Sequence, residues 1–507
     1  MVSLEELLAV AANASAPSIV DESGVQVGGV DPLGLRQINF DLMDKVLPGL
    51  NNVASRLRPF VLMTWAWRRV RTIIERDKLG GATDEQMRDF VDRIEAIYSW
   101  SQFLLDTDAG IPGGQALADL IYGEKETYRF GGKKWEQRRN LRRTSTGLIS
   151  PLNYGPGLRS MGWLIPAGPA GVFQPNSILN SMLDAFEDNF SDELDHPAFN
   201  KLGSVEVERD DVRRWGELWE LSDLTEAEQL AGFERLAGPQ ADPMRCEGMT
   251  MLEAAIESLD DDEPEASALR ALMASPPEEW LDIADLHPRA DAWRRLQIRQ
   301  LFRLSLEAMF YWIIRELVDR PVGTDELARR FANQAELEAD ETAQKWLDEE
   351  AEGNAVEQLD QLDEALNSQD WQGDIPAQIA SGLHFCLTAG RNEKWDKSEA
   401  FDRLPVARAL KEADEWQKLS LRDFIGKFIE VWIIAQHAYW CVGRGLADAR
   451  GRGKTLLRLR IVMDEGGWTL TPGAQARGAP VPTPDRLQTA ISLLQECGRI
   501  ASIDSEQ

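Results

Sequence analysis

Histidine and cysteine are scarce in this chain of 507 residues, with four of each. The cysteines, Cys246, Cys386, Cys441 and Cys497, are widely scattered. They make no disulfide framework, so a reducing cytoplasm is the expected compartment. None of His196, His287, His384 and His437 sits in a nucleophile or zinc-hydrolase setting. The serine-hydrolase pattern Gly-x-Ser-x-Gly is missing, as is an Asp followed by Glu-x-Lys on a clear strand. Apolar runs are short. Phe60 to Trp67 and Val431 to Ala435 are the longest candidates, far below the roughly 20 residues a membrane span needs. The first residues carry Glu5 and Glu6 and no early basic residue, which does not read as a secretory signal. Positive charge is also in deficit, with 55 Lys and Arg against 85 Asp and Glu, a net charge of -30.

What the chain does have is material for a core. Apolar residues make up 43%, with 17 Trp and 17 Phe, so a folded, largely buried chain is expected despite the charge. The length predicts two to four domains. The acidic excess is unevenly placed. Residues 1–165 hold 20 basic and 20 acidic residues; residues 166–507 hold 35 and 65. An acidic surface repels nucleic acid unless a local basic patch overrides it. Any nucleic-acid contact is therefore expected in the first third.

The pattern along the chain predicts a mainly α, multi-helical fold with a small C-terminal β-hairpin or winged-helix-like module. Residues 1–30 read as a flexible lead-in, and 31–165 as an N-terminal helical domain with a basic stretch. A helical middle region with an acidic loop spans 166–290, a helical core domain 291–450, and a hairpin with a final helix 451–507. Thr83 with Gln86 and Thr225 with Glu228 have the spacing of capping boxes, and Ser420 with Asp423 is similar. Between Trp293 and Leu317, residues Leu296, Leu301, Leu304, Phe310, Ile313, Ile314 and Leu317 recur at mostly helical spacing, predicting a long buried helix. A second, from about Leu421 to Val442, is apolar on most sides and should be central. Leu456 to Met463, a turn at Asp464 to Gly467 and a run from Trp468 to Thr471 read as a hairpin. The acidic runs Asp260 to Glu263 and Glu336 to Asp370 read as solvated surfaces, or as a docking face for a basic partner.

The basic stretch is the most informative chemical feature. It comprises Arg129, Lys133, Lys134, Arg138, Arg139, Arg142 and Arg143, with Arg159 beyond. If 133–143 is helical, Lys134, Arg138 and Arg142 line one face. Tyr128, Phe130 and Trp135 are interleaved, and Glu136 alone offsets the charge from Lys133 to Arg143. A row of guanidiniums beside aromatics suits a phosphate backbone. The alternative is that these side chains pair with the chain's own carboxylates.

Two other patterns point to no site. Gly451-Arg452-Gly453-Lys454-Thr455 imitates the end of a phosphate-binding loop, but Asp448 stands where that loop needs its first glycine. His384 with Cys386, and His437 with Cys441, are ligand types suited to zinc. The roughly fifty residues between the pairs exceed the usual structural-zinc spacings, and apolar neighbours read as core. No metal and no cofactor are expected.

The segment Leu42-Met43-Asp44-Lys45-Val46-Leu47-Pro48-Gly49-Leu50, with Arg56, Arg58, Pro59-Phe60 and Trp65 after it, resembles a family of uncharacterised helical proteins from bacterial antiviral defence islands. In that family a Pro-Gly turn precedes an arginine-containing, aromatic helix. Ile149 to Trp163 is similar to the family's Tyr-x-x-x-Leu-x-x-x-Gly element, and Leu224-Thr225-Glu226-Ala227-Glu228 matches a weaker third. The resemblance covers about the first 230 residues and carries over no catalytic residue. The family's neighbours are typically helicases, nucleases or methylases, which implies a subunit role; the expected partners are helicase, ATPase or nuclease subunits of the defence system and, in addition, DNA. The expected function is a non-catalytic scaffold or DNA-sensing subunit of an anti-phage defence complex, cytoplasmic and without a membrane partner. A metal-dependent nuclease with dispersed carboxylates, or a kleisin-like adaptor bridging ATPase subunits, are the alternatives. Trp65 and Trp67 lie two apart and cannot share a helix face, so one is expected in the core and the other against a neighbouring domain.

Overall fold

The computed structural model describes residues 31–78, 82–105, 123, 126–131, 153–168, 171–259, 265–280, 286–396, 399–443, 459–474 and 478–500. The lead-in, the acidic turn at 260–263, Lys133 to Arg143 and Gly451 to Thr455 lie outside the described residues. The chain is mainly helical, with three two-stranded antiparallel pairs among the described residues. It divides into two compact units, each discontinuous in sequence. The larger holds Asn39–Gln300, Asn354–Glu357 and Thr483–Gln507; the smaller holds Met1–Ile38, Leu301–Gly353 and Gln358–Pro482. The C-terminal hairpin falls in the smaller unit and the last helix in the larger.

In the larger unit, Gly49 takes a left-handed φ of 82° in the Pro48-Gly49 turn, and the helix Arg58–Arg76 follows with Pro59 in its first turn. A proline is tolerated there because its missing N–H has no intrahelical acceptor. Thr83 opens the helix Asp84–Leu104 as a reciprocal capping box. Gln86 N–H donates to the threonine hydroxyl, and Thr83 N–H donates to the Gln86 side chain at 2.8 Å. Thr225 and Glu228 do the same for the helix Glu226–Ala237.

The expectation for Trp65 and Trp67 is corrected: both are buried inside the larger unit, at 0% and 1% exposure. The Arg58–Arg76 helix is covered on opposite faces. Trp65 meets Phe190 edge-on at 4.9 Å, with Phe186 and Phe199 at 6.0 Å. Trp67 meets Phe173 at 5.6 Å on the other side. Each buried indole contributes about 2–3 kcal/mol, so a helix clad on both sides keeps both.

Strand β1 (Thr127–Phe130) pairs with β4 (Val205–Glu208), and β2 (Leu164–Pro166) with β3 (Phe173–Pro175). In β4 the alternation is visible in sequence: Val205 and Val207 are buried, Glu206 and Glu208 exposed.

The predicted long helix spans His287–Glu316 and supplies residues to both units. Leu296, Leu301, Leu304, Phe310, Ile313 and Ile314 are fully buried. In the smaller unit the helix Asp374–Ala389 packs close to it. A Cβ on Gly382 would stand 2.6 Å from the Ser305 hydroxyl, so only glycine fits. Ser420 caps the second predicted helix by accepting from Asp423 N–H. That helix runs Leu421–Lys427, shifts to π-helical register over Phe428–Ala435, and continues to 443. Trp432 stacks on Phe428 at 4.3 Å and donates its indole N–H to Glu412 at 2.7 Å.

The hairpin is β5 (Ile461–Asp464) and β6 (Gly467–Leu470). Its turn is tighter than the sequence suggests, since Asp464 pairs directly with Gly467 across Glu465-Gly466. Gly467, at φ 123°, lies against Val322 backbone, where Val322 and Trp468 exchange two backbone hydrogen bonds at 2.9 and 3.0 Å.

Candidate functional site

Within the larger unit, the segments around Pro48-Gly49, Tyr154 and Thr225 fold onto one another. Arg58 and Glu228 form an ion pair at 2.8 Å, with side chains 1% and 0% exposed. Arg58 also donates to the Asp223 carbonyl. The N–H of Arg56 donates to the Tyr154 hydroxyl at 3.1 Å. Phe60 contacts Tyr154 edge-on at 4.9 Å and Trp163 at 5.7 Å. Ser160 donates to the Gly49 carbonyl at 2.9 Å, and Arg245 to the Pro48 carbonyl at 2.9 Å. A Cβ on Gly157 would touch the Phe60 ring at 3.0 Å. The spacing of the Tyr-x-x-x-Leu-x-x-x-Gly element thus places its tyrosine and its close-packed helix on the entry of the arginine helix.

The last helix, Leu487–Glu496, completes this cluster. Glu496 pairs with Arg56 and accepts from the N–H of Leu57, an orphan donor at the helix entry. Nothing in the sequence near Glu496 signals this role, because the partners lie some 440 positions apart. Burial pushes the Glu496 carboxyl up against the opposing pull of Arg56. It likewise raises the Tyr98 and Tyr154 hydroxyls and pushes the Cys497 thiol up to about 12. The thiol therefore stays protonated and is a poor nucleophile. The cavity beside the cluster, lined by Leu57, Phe60, Trp163, Gly232, Leu493 and Cys497, measures about 10 Å³. That is the room of one water and no substrate. The cluster is a lock that ties those three segments and the last helix together.

Of the predicted nucleic-acid residues, Lys133, Lys134, Arg138, Arg139, Arg142 and Arg143 lie outside the described residues. Arg129 and Arg159 are described, and both are exposed. Arg129 lies opposite Glu206 in the β1–β4 register, yet its Nε–H turns to the Ser204 hydroxyl at 2.7 Å. Arg159, in the last turn of the helix Tyr154–Ser160, rests over the Phe173 ring at 5.8 Å. Arg71 donates to the carbonyl of that same Phe173 at 2.8 Å. By contrast, Arg68 and Arg69 in the arginine helix are bound to Glu187 at 3.0 and 3.2 Å, and Glu187 also accepts from the Trp65 indole at 2.8 Å.

The histidines of the zinc-like pairs are engaged elsewhere. His384 Nε2 meets the Trp346 carbonyl at 2.8 Å. His437 donates from Nδ1 to the Pro32 carbonyl at 2.8 Å and accepts at Nε2 from Arg460 N–H at 3.0 Å. Burial lowers the His437 imidazole to about 4. With both ring nitrogens occupied it cannot take a proton from the nearby Cys441 thiol. Among the described residues no group of three or more His, Cys, Asp or Glu could hold a metal ion, and no helix is long and apolar enough to cross a membrane.

Comparison with protein-family models finds no match, and neither does comparison with curated proteins or with solved structures.

Proposed function

We propose that this chain is a non-catalytic scaffold or DNA-sensing subunit of a bacterial anti-phage defence complex, working in the cytoplasm beside helicase, ATPase or nuclease subunits. In this reading the basic stretch contacts the phosphate backbone, and the acidic remainder faces protein partners. The observation that carries it is how the arginines are allocated. In a chain with a net charge of -30, arginines should find carboxylates, and Arg56, Arg58, Arg68 and Arg69 do. Arg129 and Arg159 stand exposed and turn instead to a serine hydroxyl and an aromatic ring. Among the described residues neither guanidinium meets a carboxylate, which leaves its donors to an outside anion. The subunit role rests on the resemblance, and the convergence of its motifs on a closed, structural cluster accords with a part that positions others.

The test is duplex binding as a function of salt. Each phosphate contact contributes about 0.9 to the slope of log affinity against log salt. Reversing Arg129 and Arg159 together with Arg138, Arg139, Arg142 and Arg143 should abolish salt-sensitive binding while leaving the circular dichroism unchanged. Binding that survives the reversal would sink the proposal, as would a wild-type protein that ignores DNA.

A further inference from the structure

In the smaller unit, the segment Asp31–Leu35 is held in an unusual way. Its carbonyls are taken one after another by side chains. Trp440 donates its indole N–H to the Asp31 carbonyl at 2.9 Å, and His437 donates Nδ1–H to that of Pro32 at 2.8 Å. Gln436 donates to the Leu33 carbonyl at 2.9 Å, and Arg403 to that of Gly34 at 3.3 Å. Backbone pairing of a strand would use no side chains. The segment is bent rather than extended, with Gly34 in the left-handed region, and side chains from elsewhere in the unit take its carbonyls.

The readers have supports of their own beside the segment. The His437 ring is oriented by Arg460 N–H on its other nitrogen at 3.0 Å. The Gln436 amide also donates to the Asp402 carbonyl at 2.8 Å, and the Arg403 guanidinium lies on the Trp440 ring at 4.1 Å. Such preorganisation cuts the entropy lost on docking. The segment is prepared as well. The Asp31 carboxylate accepts from the N–H groups of Leu35 and Arg36, at 2.9 and 3.3 Å. Leu33 and Leu35 are fully buried anchors. Gly34 has φ 74°, and a Cβ there would fall 2.5 Å from the Trp440 ring, so the groove demands glycine at that step.

We infer that Arg403, Gln436, His437 and Trp440 form a peptide-reading groove, whose resident ligand is the chain's own Asp31–Leu35 segment, docked as a separable piece and replaceable by the same peptide supplied in trans. The occupant connects to its readers only through several hundred residues of chain. It can therefore leave without unravelling the helix that carries them.

The experiment uses the full chain and a fluorescent peptide of the sequence Asp31 to Ile38. Gly34→Ala expels the resident segment and leaves every reader in place. That variant should bind the peptide at least tenfold more tightly than wild type by anisotropy, with wild-type circular dichroism. Adding Trp440→Ala to it should remove the binding. Three results would each overturn the inference: a G34A chain that binds no better than wild type, peptide binding that persists without Trp440, or a G34A chain that has lost its cooperative fold. The last would mean the segment is an integral part of the unit.

Discussion

Replacing Glu228 with Gln should destabilise the larger unit far more than replacing Glu496, although both carboxylates sit on neighbouring arginines at the entry to one helix. Solvent access separates the two carboxylates. Arg58 and Glu228 are 1% and 0% exposed, whereas Arg56 and Glu496 are 24% and 14% exposed. Glutamine at 228 keeps an oxygen for the Thr225 N–H, which now donates to Glu228 at 2.8 Å, so the cap survives. What disappears is the countercharge of a guanidinium sealed from water, and stranding such a charge costs about 3–5 kcal/mol. At 496 water reaches Arg56, and the expected cost falls to about 1–2 kcal/mol. Native-state hydrogen exchange on peptides from the Arg58–Arg76 helix, followed along a urea series, reads the opening free energy of this unit. Adding Arg58→Met to Glu228→Gln removes both charges, so the double variant should be more stable than Glu228→Gln alone. A double variant that falls at the sum of the two singles would refute the account. So would equal costs for the two glutamate substitutions.

Other consequences are equally direct. His437 is held neutral, with its pKa lowered to about 4 by burial, so the unfolded chain binds the proton more readily from pH 6.5 down to 4. Its stabilising contribution is complete above that window and is lost as the pH falls through it, amounting to about 2.5 kcal/mol between pH 7 and 4.5. His437→Gln cannot titrate, so its urea midpoint should fall less on acidification than that of wild type; equal falls would contradict the assignment. Gly232→Ala would place a methyl 2.6 Å from Leu57 and 3.0 Å from the Cys497 sulfur, and overpacking of this kind should cost about 1–3 kcal/mol in thermal unfolding. A neutral result would mean the helix Glu226–Ala237 can shift away. Trp67→Leu should cost about 2–4 kcal/mol, because Trp67 is core; a near-neutral outcome would restore the view of it as an interface residue.

Much of the fold was legible because it was written locally. A capping box spans only four residues, and both that were predicted are present with their reciprocal hydrogen bonds. Apolar spacing likewise announced the His287–Glu316 helix. The short strands escaped notice for a physical reason. Strands β2 and β3 have three residues each and carry prolines, too few for a period of two to register. Strand β4 did display its alternation, but its partner lies some 75 positions earlier. The site divides in the same way. Individual segments around Pro48-Gly49, Tyr154 and Thr225 were recognisable as patterns. That they converge, and that Glu496 closes them, depends on contacts spanning up to 439 positions. The Trp65 and Trp67 prediction failed on a related point: helical spacing says which faces differ, but not how many faces are covered.

Arginine usage gives these observations a common logic. A chain this acidic has no shortage of carboxylates, so a guanidinium without one reflects how the fold deploys its charge. Inside the larger unit, Arg58 and Arg69 reach backbone carbonyls as well as acids, fastening segments that hydrophobic contact alone would leave free to slide. In the smaller unit, Arg403 does so on a carbonyl of Asp31–Leu35 while resting on an indole. Arg129 and Arg159 use the same lateral supports, a hydroxyl and a ring, yet among the described residues close no contact with a distant carbonyl. In the proposed function, a guanidinium steadied from the side offers its remaining N–H groups to a phosphate oxygen. Replacing Arg159 with Lys should weaken duplex binding while preserving the charge, because lysine lacks the flat face that stacks on Phe173. Equal affinity for the lysine variant would reduce Arg159 to a point charge whose stacking contributes nothing to binding.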